Sequence, residues 1–482
     1  MDPKVHLPSV IAVDLDGTLL KTDSLHESVI SLIHENLLSI FALPLWLARG
    51  KAALKAKIAD HVSLDVSTLP YNFALIDWLK EKRIEGHKIV LCTASDHRIA
   101  QAIADYLDLF DEVIASNGQV NNAGKHKRKA LDAKYGVKGY DYVGNSMADI
   151  EVWAGAREAI VANASNEIKM RAEKVTTISK VFPAQIVTLS DWCKALRLHQ
   201  WLKNLLLFVP LLAAHQISNI QFLSTLILAF LSFSLCASAI YIGNDLLDLE
   251  SDRKHPRKRF RPFASASISI KVGVMLAPLL VIAGFALGMI VGIAFTAWLA
   301  AYFLLTCAYS LYLKRFALID CLTLAALYTL RIIAGAAAVA IPLSFWLLAF
   351  SVFIFLSLAF VKRYAELQTL EKVGNLQAHG RGYAVTDAPL IQTLGIAAGY
   401  ASILVLALYL HGETVVTLYA QPQMIWFAVP LMLFWVSRVW MKAHRGEMHD
   451  DPIVFAIKDK SSLTVAALII ISFLLAIKGI TD

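Results

Sequence analysis

Hydrophobic and polar positions are distributed differently on the two sides of residue 190 or so. Before it, short apolar runs such as Val10–Val13 and Lys88–Cys92 alternate with charged, helix-like stretches. That alternation predicts a doubly wound α/β sheet with its site at the carboxyl edge of the strands. Residues 24–70 read as a small helical insertion, and Asn36–Ala48 within it is apolar but shorter than the ~20 residues a membrane span needs. Packing inside this insertion is its expected role, with contact at the membrane surface as the alternative. After residue 190 the chain becomes a series of long apolar runs, at 197–214, 222–243, 271–291, 294–313, 318–340, 343–361, 390–410, 423–441 and 462–479. These predict an all-α polytopic membrane bundle of about nine spans. The expected division is a globular domain over 1–186, a linker over 187–196 and a membrane domain over 197–482.

Composition agrees with a two-part chain. Of 482 residues 57% are hydrophobic and the mean hydropathy is +0.57, which excludes a wholly soluble enzyme. The charge of +7 is concentrated in loops on one side of the bundle, at Arg253–Arg261, Lys314-Arg315, Lys362-Arg363 with Lys372 and Arg381, and Arg438–Lys460. The opposite loops His215–Gln221 and His411–Gln423 carry no lysine or arginine. By the positive-inside rule the N-terminal domain is cytosolic, on a multi-pass protein of the plasma (inner) membrane, and no cleavable leader is visible. No basic face is interleaved with aromatics, so nucleic acid is not an expected partner; the lipid bilayer and phosphorylated substrates are. The five cysteines form no CxxC pair and read as buried apolar residues.

The chemistry of the first part starts at Asp14-Leu15-Asp16-Gly17-Thr18, directly after an apolar strand. Two carboxylates one residue apart at a strand end can serve as nucleophile and general acid/base toward a phosphate shielded by Mg²⁺. This DxDGT resembles the first motif of the haloacid dehalogenase-like (HAD) phosphatases. Further matches follow in that family's order: Thr93, whose hydroxyl the resemblance gives to phosphate; Lys127, with Lys129 as substitute; and Gly144-Asn145-Ser146-Met147-Ala148-Asp149. The resemblance makes Asp14, Asp16, Asp149 and Asn145 the Mg²⁺ ligands, with Asn145 where the family has an aspartate, so one negative charge is missing. It also makes residues 24–70 a cap.

In the second part Asn244, Asp245, Asp248 and Asp252 follow an apolar run and precede the basic stretch Arg253–Arg261. On a helix Asn244, Asp248 and Asp252 share a face with Asp245 beside it. Carboxylates four apart repel one another, and at the mouth of a membrane bundle they imply a hard cation such as Mg²⁺. This NDxxDxxxD, with the spans and the basic loop, resembles the UbiA superfamily of intramembrane transferases. Within it, the stretch from Arg197 to Asn204, the run from Asp252 to Pro262, Tyr309–Lys314 with Asp320, and Lys362–Leu367 resemble the decaprenyl-phosphate phosphoribosyltransferase branch. That resemblance implies phosphoribosyl diphosphate and a polyprenyl phosphate as substrates and a place in cell-wall sugar synthesis. It assigns Asp245, Asp248, Asp252 and Asp320 to catalysis, and Lys203, Asn244, Arg257, Lys258, Arg259, Arg261, Lys314 and Arg331 to substrate. Asp320 and Arg331, eleven residues apart, fall on one helix face and are expected to line one cavity. The alternative is prenyl transfer from a diphosphate to an aromatic acceptor. A transporter and an anchored phosphatase are further readings, though no internal repeat of the transporter kind is present and an anchor has no need of clustered aspartates.

Overall fold

The computed structural model describes residues 9–117, 122–373, 381–410, 419–448 and 451–478. Part of the lysine-free loop after residue 410 therefore lies outside the described residues. The chain forms two compact units, one combining residues 1–196 with 241–278, the other 197–240 with 279–482.

The first unit is built on six parallel strands: β1 Val10–Val13, β2 Lys88–Asp96, β3 Glu112–Ser116, β4 Tyr140–Gly144, β5 Glu158–Ala162 and β6 Thr177–Phe182. Their order is β3-β2-β1-β4-β5-β6. Continuous apolar runs such as those of β1 and β2 suit strands covered on both faces; Ile11, Val13, Leu91 and Val143 are fully or almost fully buried. The order reverses between β1 and β4, and a crevice opens at their carboxyl ends, the usual place for a ligand. Residues 24–70 are helical as expected. Helix α1, Ser24–Glu35, starts at Asp23, whose carboxylate accepts the amides of Leu25 and His26. The expected linker contains a capped helix, Leu189–Ala195, with Thr188 and Asp191 closing a capping box.

Among the described residues eight helices are long and apolar enough to cross a membrane: Ile220–Leu247, Ile270–Val291, Ile293–Leu311, Ile319–Ala338, Phe345–Lys372, Val385–Leu410, Pro422–His444 and Lys460–Ile477. The run expected as a first span, 197–214, differs. It forms a 3₁₀ helix, Leu198–Phe208, continued by a short α-helix, Val209–Ala213. It packs closely: a Cβ on Gly335 would sit 2.0 Å from the carbonyl oxygen of Leu207, so two backbones touch there. At about 2 Å per 3₁₀ residue and 1.5 Å per α residue the pair still measures roughly 30 Å, the thickness of the hydrocarbon core.

Candidate active sites

The sheet crevice gathers most of the expected phosphatase residues. Asp14 ends β1, and its Oδ1 accepts a 2.8 Å bond from Lys127 Nζ. Lys127, itself buried, also reaches the hydroxyl of Tyr142 at 2.8 Å and lies 3.7 Å from Asp149. Burial opposes its charge, but Asp14 and Asp149 outweigh that and hold it above the ordinary lysine range. Burial pushes Asp14 up to about 7; Lys127 works against this, and Asp149 and Asp16 add to it. A divalent cation would act in the opposite direction. Asp16 faces the cap: one oxygen accepts the amide of Ser24 at 2.7 Å and the other the hydroxyl of Ser95. Burial, then Asp23, raises its pKa, which favours the protonated form that a proton donor needs.

Gly17 has φ +74°, and a Cβ there would lie 2.0 Å from Asn145 Nδ2, so Asn145 closes directly over the DxDGT turn. Asp149, expected as the distal Mg²⁺ ligand, sits in a hydrogen-bond network. Its Oδ2 accepts the amides of Asn145 and Ser146 and the Ser146 hydroxyl, and its Oδ1 accepts from Tyr142. Its position makes it the counter-ion of Lys127 and the cap of a short helix. The hard oxygens of Asp14 and Asn145 nonetheless suit Mg²⁺. Thr93 is fully buried and its hydroxyl accepts the amide of Ser95. Ser95, Ser24 and Tyr142 were not expected; small hydroxyl residues at strand and helix ends carry too little sequence signal on their own.

The NDxxDxxxD motif, also in the first unit, is not one uninterrupted helix. The helix Ile220–Leu247 ends just before Asp248, and a second, Leu249–Lys254, starts after it. The side chains that converge are Asp245 and Asp252, seven residues apart, with Asp248 half-buried at the break. Arg261, expected to hold substrate phosphate, bridges the two, with Nη1 3.0 Å from Asp245 and 2.6 Å from Asp252. Asp252 Oδ1 is buried without a hydrogen-bond partner, and burial raises the Asp252 pKa although Arg261 opposes it. Among the described residues no three potential metal ligands stand together, yet a buried carboxylate pair with an orphaned oxygen fits a hard cation. Arg257, Lys258 and Arg259 are exposed, and Lys258 comes to 3.9 Å of Asp252. His255 accepts the amides of Arg257 and Lys258 and so shapes the basic turn.

In the second unit Asp320 and Arg331 bond different partners. Arg331 donates to Asn204, Tyr302 and the carbonyl of Leu327. Asp320, fully buried, pairs with Arg363 at 2.7 Å and accepts from Tyr309, and Arg363 continues to Glu366. It is one half of a buried ion pair. Lys203 and Lys362 share the carboxylate of Asp451 at 2.8 and 3.1 Å. Burial would raise Asp451, but the two lysines hold it well below the usual carboxylate range. Lys314 is half-buried in the short turn Leu313–Arg315.

A bundle of apolar helices with a buried acidic motif at a helix end, joined to a parallel-sheet phosphatase-like domain, defines an integral membrane transferase with a HAD-like domain. The chain belongs to the UbiA prenyltransferase family, whose model matches residues 205–458, and its N-terminal part matches the haloacid dehalogenase-like hydrolase model over residues 11–153. The uncharacterized protein y4nM of Sinorhizobium fredii is 37% identical over 467 residues, 96% of this chain and 90% of that one. Decaprenyl-phosphate phosphoribosyltransferase of Mycobacterium tuberculosis is 36% identical over 221 residues, 45% of this chain and 72% of that one. A UbiA homolog from Archaeoglobus fulgidus, solved with GPP and Mg²⁺, aligns with a TM-score of 0.45 at 15% identity over 59% of this chain and 99% of that one.

Proposed function

We propose that the membrane domain transfers a phosphoribosyl group from phosphoribosyl diphosphate to a polyprenyl phosphate, and that the HAD-like domain then removes the 5-phosphate of the lipid-linked product. The observation that carries the reading is the buried Asp245–Asp252 pair, with its orphaned oxygen, at the end of an apolar helix and at the start of a basic turn. A diphosphate held through a cation and surrounded by guanidiniums suits that place. The phosphoribosyltransferase relative supports this donor, and the pairing of Asp320 with Arg363 leaves no second free aspartate set of the prenyltransferase kind there.

In this reading an oxygen of the lipid phosphate attacks the anomeric carbon as the bond to diphosphate breaks. The nucleophile is already an anion and needs no strong base. Mg²⁺ held by Asp245, Asp248 and Asp252 would neutralise charge on the departing diphosphate. Arg257, Lys258 and Arg259 bind the remaining phosphate oxygens, and Arg261 adds a guanidinium at the carboxylate pair. In the bundle Lys203 and Lys362 share one carboxylate and keep a net positive charge suited to a phosphate headgroup. In the HAD-like domain, on the cytosolic side, Asp14 attacks phosphorus with Lys127 holding its carboxylate in place. Asp16 protonates the leaving alkoxide, and water then hydrolyses the aspartyl phosphate.

The test is purified protein with Mg²⁺, labelled phosphoribosyl diphosphate and a polyprenyl phosphate. Label should enter the lipid phase in the wild type, be lost in Asp252→Asn, and stay 5-phosphorylated in Asp14→Asn. Transfer of a labelled prenyl group to an aromatic acid, with no ribose label in lipid, would refute the reading.

A further inference from the structure

The cap contains a surface that water-facing folds avoid. Between α1 and the helix Lys51–His61 run twelve residues, Leu37–Ala48, without a charged side chain. Their inner side is anchored: Leu43 and Trp46 pack on Leu32, Ile58 and Val62. Their outer side shows Leu38 at 71%, Phe41 at 74% and Leu45 at 70% exposure, with Leu37, Ile40 and Leu47 about half exposed. An apolar patch of this density on a polar domain marks an interaction site, and packing within the cap, its expected role, accounts only for the inner side.

The position of the cap within its unit says what covers the patch. Arg253 lies six residues beyond Leu247, the end of a membrane-length helix. It forms a buried bidentate pair with Glu27 of α1, at 3.0 and 2.7 Å. The next residue, Lys254, bonds Asp65 on the other side of the cap at 2.9 Å. The cap is thus fastened, before and after the apolar segment, to the residues that have just left the bilayer; six helical residues rise only ~9 Å. Twelve apolar residues are too few to span but suffice to lie in the headgroup–acyl boundary. On the inner side, Lys55 Nζ donates to the carbonyl of Ala94, and a small cavity is lined by Ser24, Leu25, Lys55, Ile58, Ser95 and Asp96. Ser24 and Ser95 are the two residues that bond Asp16.

We propose that Leu37–Ala48 is an interfacial element seated in the lipid surface, which holds the phosphatase cavity at the bilayer so that a lipid-linked phosphomonoester reaches it without leaving the membrane. The choice of substrate rests on the proposed phosphatase step; the seating does not.

The test uses the full chain in phosphatidylcholine–phosphatidylglycerol vesicles, with the exposed Cys193 replaced by serine. Nitroxide labels are placed at Phe41→Cys, Leu45→Cys and, as a water-facing control, Ile84→Cys, which is 87% exposed. The first two should be relaxed more by oxygen than by a water-soluble nickel chelate, and the third the reverse. Nickel access at Phe41 and Leu45 equal to that at Ile84 overturns the seating. So does shielding from both agents with spin–spin broadening, which would mean that a second copy covers the patch. In the enzymatic arm, Phe41→Glu/Leu45→Glu should leave hydrolysis of p-nitrophenyl phosphate unchanged. The same variant should lower hydrolysis of vesicle-embedded phosphatidic acid by roughly tenfold or more, through lost effective concentration. Equal rates on the lipid overturn the delivery role. Wild-type hydrolysis of the soluble ester but not of the lipid refutes the lipid substrate and with it the proposed second step, while labels found in the bilayer still uphold the seating.

Discussion

Replacing Glu27 by glutamine removes one charge from an ion pair whose side chains are 7% (Arg253) and 5% (Glu27) exposed. Breaking a buried pair by removing one partner costs about 3–5 kcal/mol, because the other charge stays buried. Glutamine keeps the shape and one acceptor, and Arg253 keeps its 2.9 Å bond to the carbonyl of Ala264, so the lower end of that range applies. A loss of about 3 kcal/mol corresponds to roughly a hundredfold more frequent opening of the cap from the turn it grips. Hydrogen exchange on the full chain in nanodiscs reads this directly, in peptides from α1 and from Leu249–Lys254. The exposed pair Lys82–Glu85 supplies a control in Glu85→Gln, which should change nothing measurable. Combining Glu27→Gln with Arg253→Gln should cost less than the sum of the two single changes. A fall in protection under threefold, or strict additivity, would refute the claim that this pair fastens the cap.

Other outcomes follow from the same contacts. Asn145→Asp keeps the size of the side chain over Gly17 and restores a charge beside Asp14; the Mg²⁺ concentration for half-maximal phosphatase activity should fall by about tenfold, or ~1.4 kcal/mol, in a titration with a soluble phosphomonoester. Asp451→Asn leaves Lys203 and Lys362 facing each other and should cost roughly 3 kcal/mol, read as earlier thermal unfolding in detergent. The depressed pKa of Asp451 means its contribution is whole above the unfolded value of ~3.9 and is lost only as pH falls through the lower folded value; between pH 5 and 8 the difference between wild type and variant should therefore be flat. Gly335→Ala drives a methyl into the Leu207 backbone and should cost about 1–3 kcal/mol by overpacking, seen as a lower melting temperature, with Gly335→Ser no better.

Features carried by short, contiguous patterns were legible in the sequence. DxDGT after a four-residue apolar strand placed Asp14 at a sheet edge, and the length of the apolar runs foretold eight of the helices. What escaped was whatever depends on partners distant in sequence. Asp149 reads as a ligand by its place in the motif, whereas its approach to Lys127, 3.7 Å away, is set by the fold and not by the motif. Asp320 has Arg331 on its own helix face, yet the partner is Arg363 on another helix, because a buried carboxylate takes whichever cation reaches it at bonding distance. For the cap's apolar segment the choice between packing and membrane contact stayed open, because period and composition show that a segment is apolar without showing what lies against it. The segment Leu198–Phe208 likewise meets Gly335, more than a hundred residues away, at a backbone contact that no local pattern announces.

That the unit carrying the phosphatase site is discontinuous, joining residues 1–196 to 241–278, imposes an order on its biogenesis. A ribosome finishes all six strands of the sheet before Arg253 exists, and at 5–20 residues per second the delay is on the order of several seconds. During that interval Glu27 has no counter-ion and the apolar segment of the cap faces water. Arg253, which supplies the counter-ion, comes only after Ile220–Leu247 has been made. The globular unit is thereby completed only by residues that lie beyond the first long apolar helix of the chain, so the sheet and its last latch are made at different times.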